Sequence, residues 1–384
     1  MYQLFYTERD NTLYERFPDL NAGIDPILEL TKIASGSNLN GNVQANTYNT
    51  RILLDFGAQI TTLTNLISTG KIPPIGNSSN SASVYLSMQA ADASDLKLSY
   101  TLKAFPVSQS WSNGNGNKGD TPQTKVGSSW YNRSGDGKAQ TGIAWDTGSA
   151  MSGISGLGVT ETKGGGTWMT GSGYEASQSF SNELPHIRMN VTDIVSKWVN
   201  GTIDNNGFII KRPEVDERSG DILGNIQYYG RETHTIFIPR MEVAWDDTIH
   251  SGTSSYAEIS SETYVPFFKN IKRSYREADN TIFRIGVRPE FPNKTYQTSS
   301  FFITKDRLPT SSFYSIQDTV TQETIIPFDT TATKISCDAK GSFFKLRLDT
   351  FMPERYYKIL LKVERDGGDD VQVHDDGYYF KVEK

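Results

Sequence analysis

Catalysis and metal binding draw on a short set of side chains, and this chain holds few of them in useful arrangements. Its 384 residues include four histidines, His186, His234, His250 and His374, and one cysteine, Cys337. No histidine stands three or four residues from another or from the cysteine, the spacing that sets two ligands on one helix face. No G-x-S-x-G elbow, phosphate loop or dinucleotide fingerprint stands in a strand-to-helix context. Gly164-Gly165-Gly166 is followed by no lysine and helix, so it is expected to be a flexible loop rather than a phosphate cradle. Carboxylates cluster in Asp366-Gly367-Gly368-Asp369-Asp370 and Asp375-Asp376-Gly377, which read first as hairpin turns. Calcium takes carboxylate and carbonyl oxygens, but these runs lack the alternating spacing of a dedicated calcium loop. The expectation is no catalytic residue, no metal ligand, no cofactor and no enzyme.

Aromatic side chains are better placed to meet a ligand. Trp111, Trp130 and Trp168 stand in a stretch rich in Gly, Ser, Asn, Asp and Thr, which also carries Trp145. An indole on such a loop either stacks on the face of a sugar or plugs the edge of a β-sandwich. These three are the candidate ligand-facing aromatics, with Trp168 the most open because it adjoins the triple glycine. Trp198 reads differently. Val191, Ile194, Val195 and Trp198 follow the i, i+3, i+4, i+7 spacing of one helix face. Asn190 or Thr192 caps the start, and Asn200-Gly201 closes the end through a left-handed residue. A helix of about nine residues is marginal alone in water, so it must dock, and Trp198 is its structural anchor.

The elements that position these residues are strands. Tyr, Phe, Thr, Ser and Gly are abundant and long helical periodicity is nearly absent, which favours an all-β architecture. Residues 1–47 read as an N-terminal arm, with a short helix predicted over 25–32 from Asp25 as cap and Pro26 at the first turn. Polar residues 35–42 then break the arm as a flexible stretch. The arm's Tyr2, Phe5, Tyr6, Tyr14 and Phe17 have no core of their own and are expected to pack on the body or on a neighbouring subunit. Residues 48–246 form a first globular unit, with strands over 51–56, 81–88 and 96–105 and a helical turn over 63–67. Residues 247–260 read as a linker, and 261–384 as a smaller β-sandwich of immunoglobulin-like size.

Composition narrows the partners. A net charge of −6 and a pI near 5.4 disfavour a nucleic-acid-binding surface, which is usually basic. One cysteine excludes an intrachain disulfide framework, and Cys337 is expected to be a buried structural thiol. The opening residues lack the basic start and apolar core of a signal peptide. No apolar run approaches the ~20 residues needed to cross a bilayer, so no membrane insertion is expected.

One ordered set of motifs points to a family. Arg51-Ile52-Leu53-Leu54-Asp55-Phe56 leads to Ser81-Ala82-Ser83-Val84-Tyr85-Leu86 and then to Pro106-Val107-Ser108-Gln109-Ser110-Trp111 and Trp130. The helix around Trp198 follows, with Asn206-Gly207-Phe208-Ile209-Ile210-Lys211, Tyr228-Tyr229-Gly230-Arg231-Glu232 and Pro239-Arg240-Met241-Glu242-Val243. This order resembles the DNRLRE domain, a jelly-roll β-sandwich related to carbohydrate-binding modules, over residues 48–246. The loop over 146–175 departs from that pattern, and the arm and the C-terminal unit lie outside it. The opening Tyr6-Thr7-Glu8-Arg9-Asp10-Asn11, the stretch Gly23-Ile24-Asp25-Pro26-Ile27-Leu28 and Pro353-Glu354-Arg355-Tyr356-Tyr357-Lys358 resemble structural proteins of T-even-like phages of marine bacteria. That resemblance implies a virion component of the tail, neck or baseplate, synthesised in the host cytoplasm and assembled in several copies with other virion proteins. The alternative it leaves open is a carbohydrate-binding adhesin for host-surface glycans.

Overall fold

A computed structural model describes the chain except residues 36–45, 79–80, 136–141, 147–163, 182–183, 251–255, 292–305 and 366–367. Residues 36–42 of the polar stretch and most of the loop over 146–175 therefore lie outside the described residues. The chain divides into two compact units, a body over Tyr2–Trp245 and a second unit over Asp246–Lys384.

The body opens with β1 (Tyr2–Tyr6), β2 (Arg9–Tyr14), β3 (Ile27–Ser35) and β4 (Asn46–Asp55), followed by helix α1 (Gly57–Ser68). Next come β5 (Ser83–Met88), β6 (Ala90–Ser94), β7 (Ser99–Pro106), the short pair β8 (Asn132–Ser134) and β9 (Ile143–Ala144), β10 (Ala176–Ser181) and β11 (Ile187–Asn190). Helix α2 (Thr192–Val199), β12 (Phe208–Lys211), the short helix α3 (Glu214–Arg218), β13 (Gly224–Tyr229) and β14 (Arg240–Ala244) complete it.

One sheet has the order β1-β14-β5-β11, and the other runs β10-β7-β12-β4 before continuing through β3, β13 and β6. Eight of these strands, β1, β4, β5, β7, β10, β11, β12 and β14, make a complete jelly roll. Counted along the chain, one sheet pairs the first, eighth, third and sixth of them, and the other the second, seventh, fourth and fifth. All the pairings among these eight are antiparallel. Period-two alternation drives the layering: Ile52 and Leu54 of β4 and Phe208 and Ile210 of β12 enter the core, as do Val84, Leu86 and Met88 of β5.

The first 35 residues are not an arm. β1 pairs with β14, β2 with β4, and β3 with both β13 and β4, so this segment supplies strands to the body. Its aromatics divide by strand face. Phe5 and Tyr14 are buried, whereas Tyr2, Tyr6 and Phe17 are exposed. The helix expected over 25–32 is strand β3. Asp25 Oδ1 accepts from the Ile27 amide at 3.0 Å in a local turn, and Leu28 and Leu30 then point inward two residues apart. An N-cap residue and a turn residue look alike in sequence, and the period of the following apolar residues decides between them.

Helix α2 forms where its periodicity placed it. Asn190 Oδ1 accepts from the Thr192 amide and hydroxyl at 3.0 and 2.6 Å. Gly201, at φ +68°, ends the helix in a Schellman turn, in which Thr202 N–H reaches Lys197 O and Gly201 N–H reaches Trp198 O. Trp198 is buried and packs on Phe208 with ring centroids 4.5 Å apart. The body has more than the one helix expected: α1 extends the predicted turn over 63–67 to 12 residues and buries Ile60 and Leu63 against the same core.

The second unit contains β15 (Tyr264–Phe268), β16 (Ser274–Arg276), β17 (Asn280–Pro289), β18 (Ser312–Asp318), β19 (Thr324–Ile326) and β20 (Ser336–Asp338). It continues with β21 (Gly341–Arg347), β22 (Arg355–Arg365), β23 (Asp370–His374) and β24 (Tyr379–Glu383). The sheet β15-β17-β21-β20 and the sheet β16-β24-β22-β18-β19, with β23 also on β22, enclose a core of stacked rings such as Phe283, Phe344 and Tyr314. Cys337 is buried in this unit, and burial pushes its thiol pKa up. Residues 247–250 and 258–259, expected in a linker, and Asp246, expected to end the body, are joined to this unit: Ile249 O accepts from Cys337 N–H, Asp246 pairs with Lys334 at 2.6 Å, and Ile259 N–H reaches Arg307 O.

Replacing Trp198 by alanine should destabilise the body by about 3–5 kcal/mol, the usual cost of emptying a large aromatic site. Chemical denaturation followed by far-ultraviolet circular dichroism measures it, and an unshifted midpoint would remove Trp198 as the anchor.

Candidate functional site

Strand β4 has two buried faces. Ile52 and Leu54 face the sandwich core, while Leu53 joins Leu13, Phe105, Val107 and Ile209 in a second apolar cluster on the opposite side. Among the described residues, only the short β8–β9 pair stands in the segment on that side. The polar stretch after β7 folds back over it and contributes Trp111, Trp130, Trp145 and Trp168, all buried. Trp111 Nε1–H donates to Asn206 O at 2.9 Å and Trp145 Nε1–H to Ser129 O at 2.9 Å. Trp111, Trp130 and Trp168 thus present no open ring face to a sugar. They form the lid of a second core, because a sheet face carrying Leu, Ile, Phe and Val must be removed from water.

The triple glycine belongs to that lid and is packed, not free. Gly164, Gly165 and Gly166 have φ values of +135°, +80° and +87°. A Cβ on Gly164 would stand 2.2 Å from Trp130 O, and one on Gly165 would stand 2.5 Å from Arg51 Nη1. The backbone approaches Trp130 and Arg51 as closely as only glycine permits.

Beneath the indoles lies a buried ion cluster. Glu217, from α3, accepts two bonds from Arg51 of β4, Nε–Oε1 at 3.0 Å and Nη2–Oε2 at 2.8 Å, and one from Lys211 Nζ of β12 at 2.7 Å. The Arg51 guanidinium lies 4.9 Å from the Trp130 ring and 5.0 Å from the Trp168 ring, and its Nη1 donates to Gly165 O at 2.6 Å. Burial alone would raise the Glu217 pKa, but the Arg51 and Lys211 charges outweigh it and hold the carboxyl below its ordinary range. Lys32 is fully buried alongside and donates from Nζ to the carbonyls of Asp216, Glu217 and Ser219 at the end of α3. Burial lowers its pKa. Glu217 meets two cations, and Lys32 is held by carbonyl oxygens, so the arrangement fastens α3 to the sheet. The sequence held one signal of it: Lys211 closes an entirely apolar strand, where a charge requires a buried partner.

The open concavity of the body lies elsewhere, over β2, β3, β4 and β13. A groove of about 280 Å³ is walled by Tyr14, Phe17, Tyr48, Glu29, Asn225 and Lys118 among others. Lys118 Nζ stands 2.6 Å from both Glu29 oxygens and 5.3 Å from the Tyr14 ring, and closes one end. Burial, followed by the Glu29 and Asp25 charges, raises the Tyr14 hydroxyl pKa well above the ordinary value. The Asn225 carboxamide oxygen has no hydrogen-bond partner among the described residues. Such a groove can hold one small polar ligand by hydrogen bonds and ring contact. Of the histidines, His186 Nδ1 accepts from the Ala90 amide, His374 lies against Tyr264 and His250 bridges to Cys337, so they do not converge.

No family model matches the chain, and no curated protein matches it. Among solved structures the chain is similar to the crystal structure of Parabacteroides merdae beta-glucuronidase. The two are 9% identical with a TM-score of 0.16, over 97% of this chain and 36% of that one. The chain thus spans about a third of the length of that structure, and a score this low carries neither its fold nor its activity across.

The buried charges make stability pH-dependent from both sides. Asp10 of β2 is buried without an ion pair among the described residues, and accepts from the Arg231 amide at 2.5 Å. Burial pushes its pKa up to about 7. A raised carboxyl pKa favours the folded state when protonated, so this contribution is present at acid pH and lost as pH rises through about 7. Glu217 acts oppositely: its lowered pKa contributes stability above the ordinary carboxylate range and loses it as pH falls below. Asp10→Asn should flatten the loss of thermal stability as pH rises from 3.8, the ordinary carboxyl value, to about 7. An unchanged profile would exclude Asp10 as its source. Arg51→Met should cost about 3–5 kcal/mol by leaving Glu217 buried with one partner fewer, measured as a lowered denaturation midpoint.

Proposed function

We propose that this chain is a structural, non-enzymatic component of a tailed-bacteriophage virion, of the tail, neck or baseplate, and that it works by docking onto other virion proteins in a multi-copy assembly. The observation that carries this reading is the edge strand β1. It ends the β1-β14-β5-β11 sheet, so one side of its backbone has no strand partner among the described residues. Tyr2 and Tyr6 on it are 63% and 44% exposed, and the strand contains no lysine or proline. Natural edge strands are normally guarded by such residues, by charge or by bulges. An open edge with two exposed tyrosines suits strand addition or lateral packing by a neighbouring subunit. The ionisable groups gathered in the body interior serve packing: Arg51, Lys211 and Glu217 satisfy one another beneath a tryptophan lid.

A carbohydrate-binding adhesin is the second reading, favoured by the groove beside Tyr14 rather than by the buried tryptophans. The two are compatible in one virion protein.

Removing residues 1–47 would delete β1, β2 and β3 and so cannot test docking alone. The direct test is Tyr2→Ser combined with Tyr6→Lys in otherwise intact particles. The expected outcome is an unchanged melting temperature for the isolated protein and a several-fold loss of its incorporation into particles, read by quantitative mass spectrometry. Full incorporation of the double variant would remove the β1 edge as the docking surface.

A further inference from the structure

The second unit carries a cleft that neither the docking edge nor the body groove explains. It lies over the outer face of the β22–β24 pair and has a volume of about 720 Å³. The pairing register sets its chemistry. Tyr357 and Phe380 pair across the strands and are buried in the core, while their neighbours Tyr356, Tyr379 and Lys381 point outward. Tyr356 and Tyr379 are 45% and 59% exposed, with ring centroids 6.4 Å apart and planes at 70°. Two adjacent exposed tyrosines of this kind offer one ring face as a floor and the second as a side wall.

The charge of the cleft opposes that of the chain. Its lining holds Lys272, Arg273 and Lys381 against the single carboxylate Glu383, in a chain of net charge −6. Lys381 pairs with Glu354 and Glu383. Lys272 and Arg273 are exposed and form no ion pair with any described residue. Arg273 is held at the site by its backbone, whose carbonyl accepts from Lys381 N–H at 2.8 Å, next to the parallel pairing of β16 with β24. An exposed arginine without an ion pair among the described residues, lining the same cleft as two exposed phenol rings, suits an anionic group on a ligand with an apolar face.

We propose that this cleft binds an acidic polysaccharide, with Tyr356 and Tyr379 against the carbon–hydrogen face of a sugar ring and Lys272 and Arg273 on its carboxylate or sulfate. Single-stranded nucleic acid fits less well, because successive bases stack in parallel and these rings stand 70° apart. An acidic peptide would find the charges but no use for the exposed ring faces. The proposal is independent of the docking role of β1.

The test is equilibrium binding of the full-length protein to polygalacturonate and dextran sulfate, with neutral dextran, polyglutamate and a single-stranded oligonucleotide as controls. The expected result is saturable binding to one or both acidic polysaccharides that exceeds every control. Tyr379→Ala and Arg273→Glu, both at exposed positions, should each weaken it by about tenfold, in line with loss of an aromatic or arginine anchor, with unchanged melting temperatures. Absence of binding to both acidic polysaccharides, equal binding to polyglutamate or the oligonucleotide, or insensitivity to Tyr379→Ala would each overturn the proposal.

Discussion

The double burial of strand β4 is the constraint from which the rest of the body follows. A jelly roll provides one core between two sheets, and a strand inside it normally shows its other face to water. Here that other face carries Leu53 and is flanked by Leu13 and Ile209, so it needs a cover the fold itself does not supply. The cover is built from a long polar loop with four indoles, three left-handed glycines that let the loop descend to the sheet, and α3 fastened by Arg51, Lys211 and Lys32. Hydrophobic burial supplies most of the stabilisation there. The ion cluster adds little net energy, since desolvating three charges offsets most of their attraction. Its effect is on geometry: a bidentate Arg51–Glu217 pair, clamped between Trp130 and Trp168, allows α3 one position on the sheet.

That constraint explains which parts of the molecule were legible in sequence. The fold class and helix α2 were, because alternation and the 3.6-residue period are local signals and Trp198 sat at the right phase. The first 35 residues were misread because strands such as β2 gain their identity only from partners some forty residues away; the register of Arg9 against Asp55 leaves no local trace. The Asp25-Pro26 pair was misread as a helix start because an Asx turn and an N-cap use the same residue types. The choice between a stacking and a plugging role for the loop tryptophans was not legible for a related reason. A polar loop predicts solvent, and nothing near Trp130 in sequence announces that Arg51 will stack on it. The ion cluster joins residues 51, 211 and 217, and only the odd lysine at the end of β12 hinted at it.

Functional surfaces emerge once these interior tasks are set aside. Tryptophan, the largest apolar side chain, is withdrawn: the six indoles at 111, 130, 145, 168, 198 and 245 are all buried. Tyrosine, unlike tryptophan, is found on both sides: Tyr14, Tyr228 and Tyr357 are buried, while Tyr2 and Tyr6 on the body edge and Tyr356 and Tyr379 on the second unit are exposed. The division follows from the phenol hydroxyl, which keeps one end of the ring solvated while the other remains available for contact. Exposed tyrosines at an open strand edge, or beside cations in a cleft, are therefore the residues on which the two proposed recognition surfaces rest. The two sets differ in what they can hold. The β1 tyrosines flank backbone groups without a strand partner among the described residues and suit another polypeptide, whereas Tyr356 and Tyr379 stand on the paired strands β22 and β24 and line a cleft with Lys272 and Arg273. A protein that docks through one unit and grips a charged polymer through the other would need these two chemistries kept on separate units, and that is how this chain distributes them.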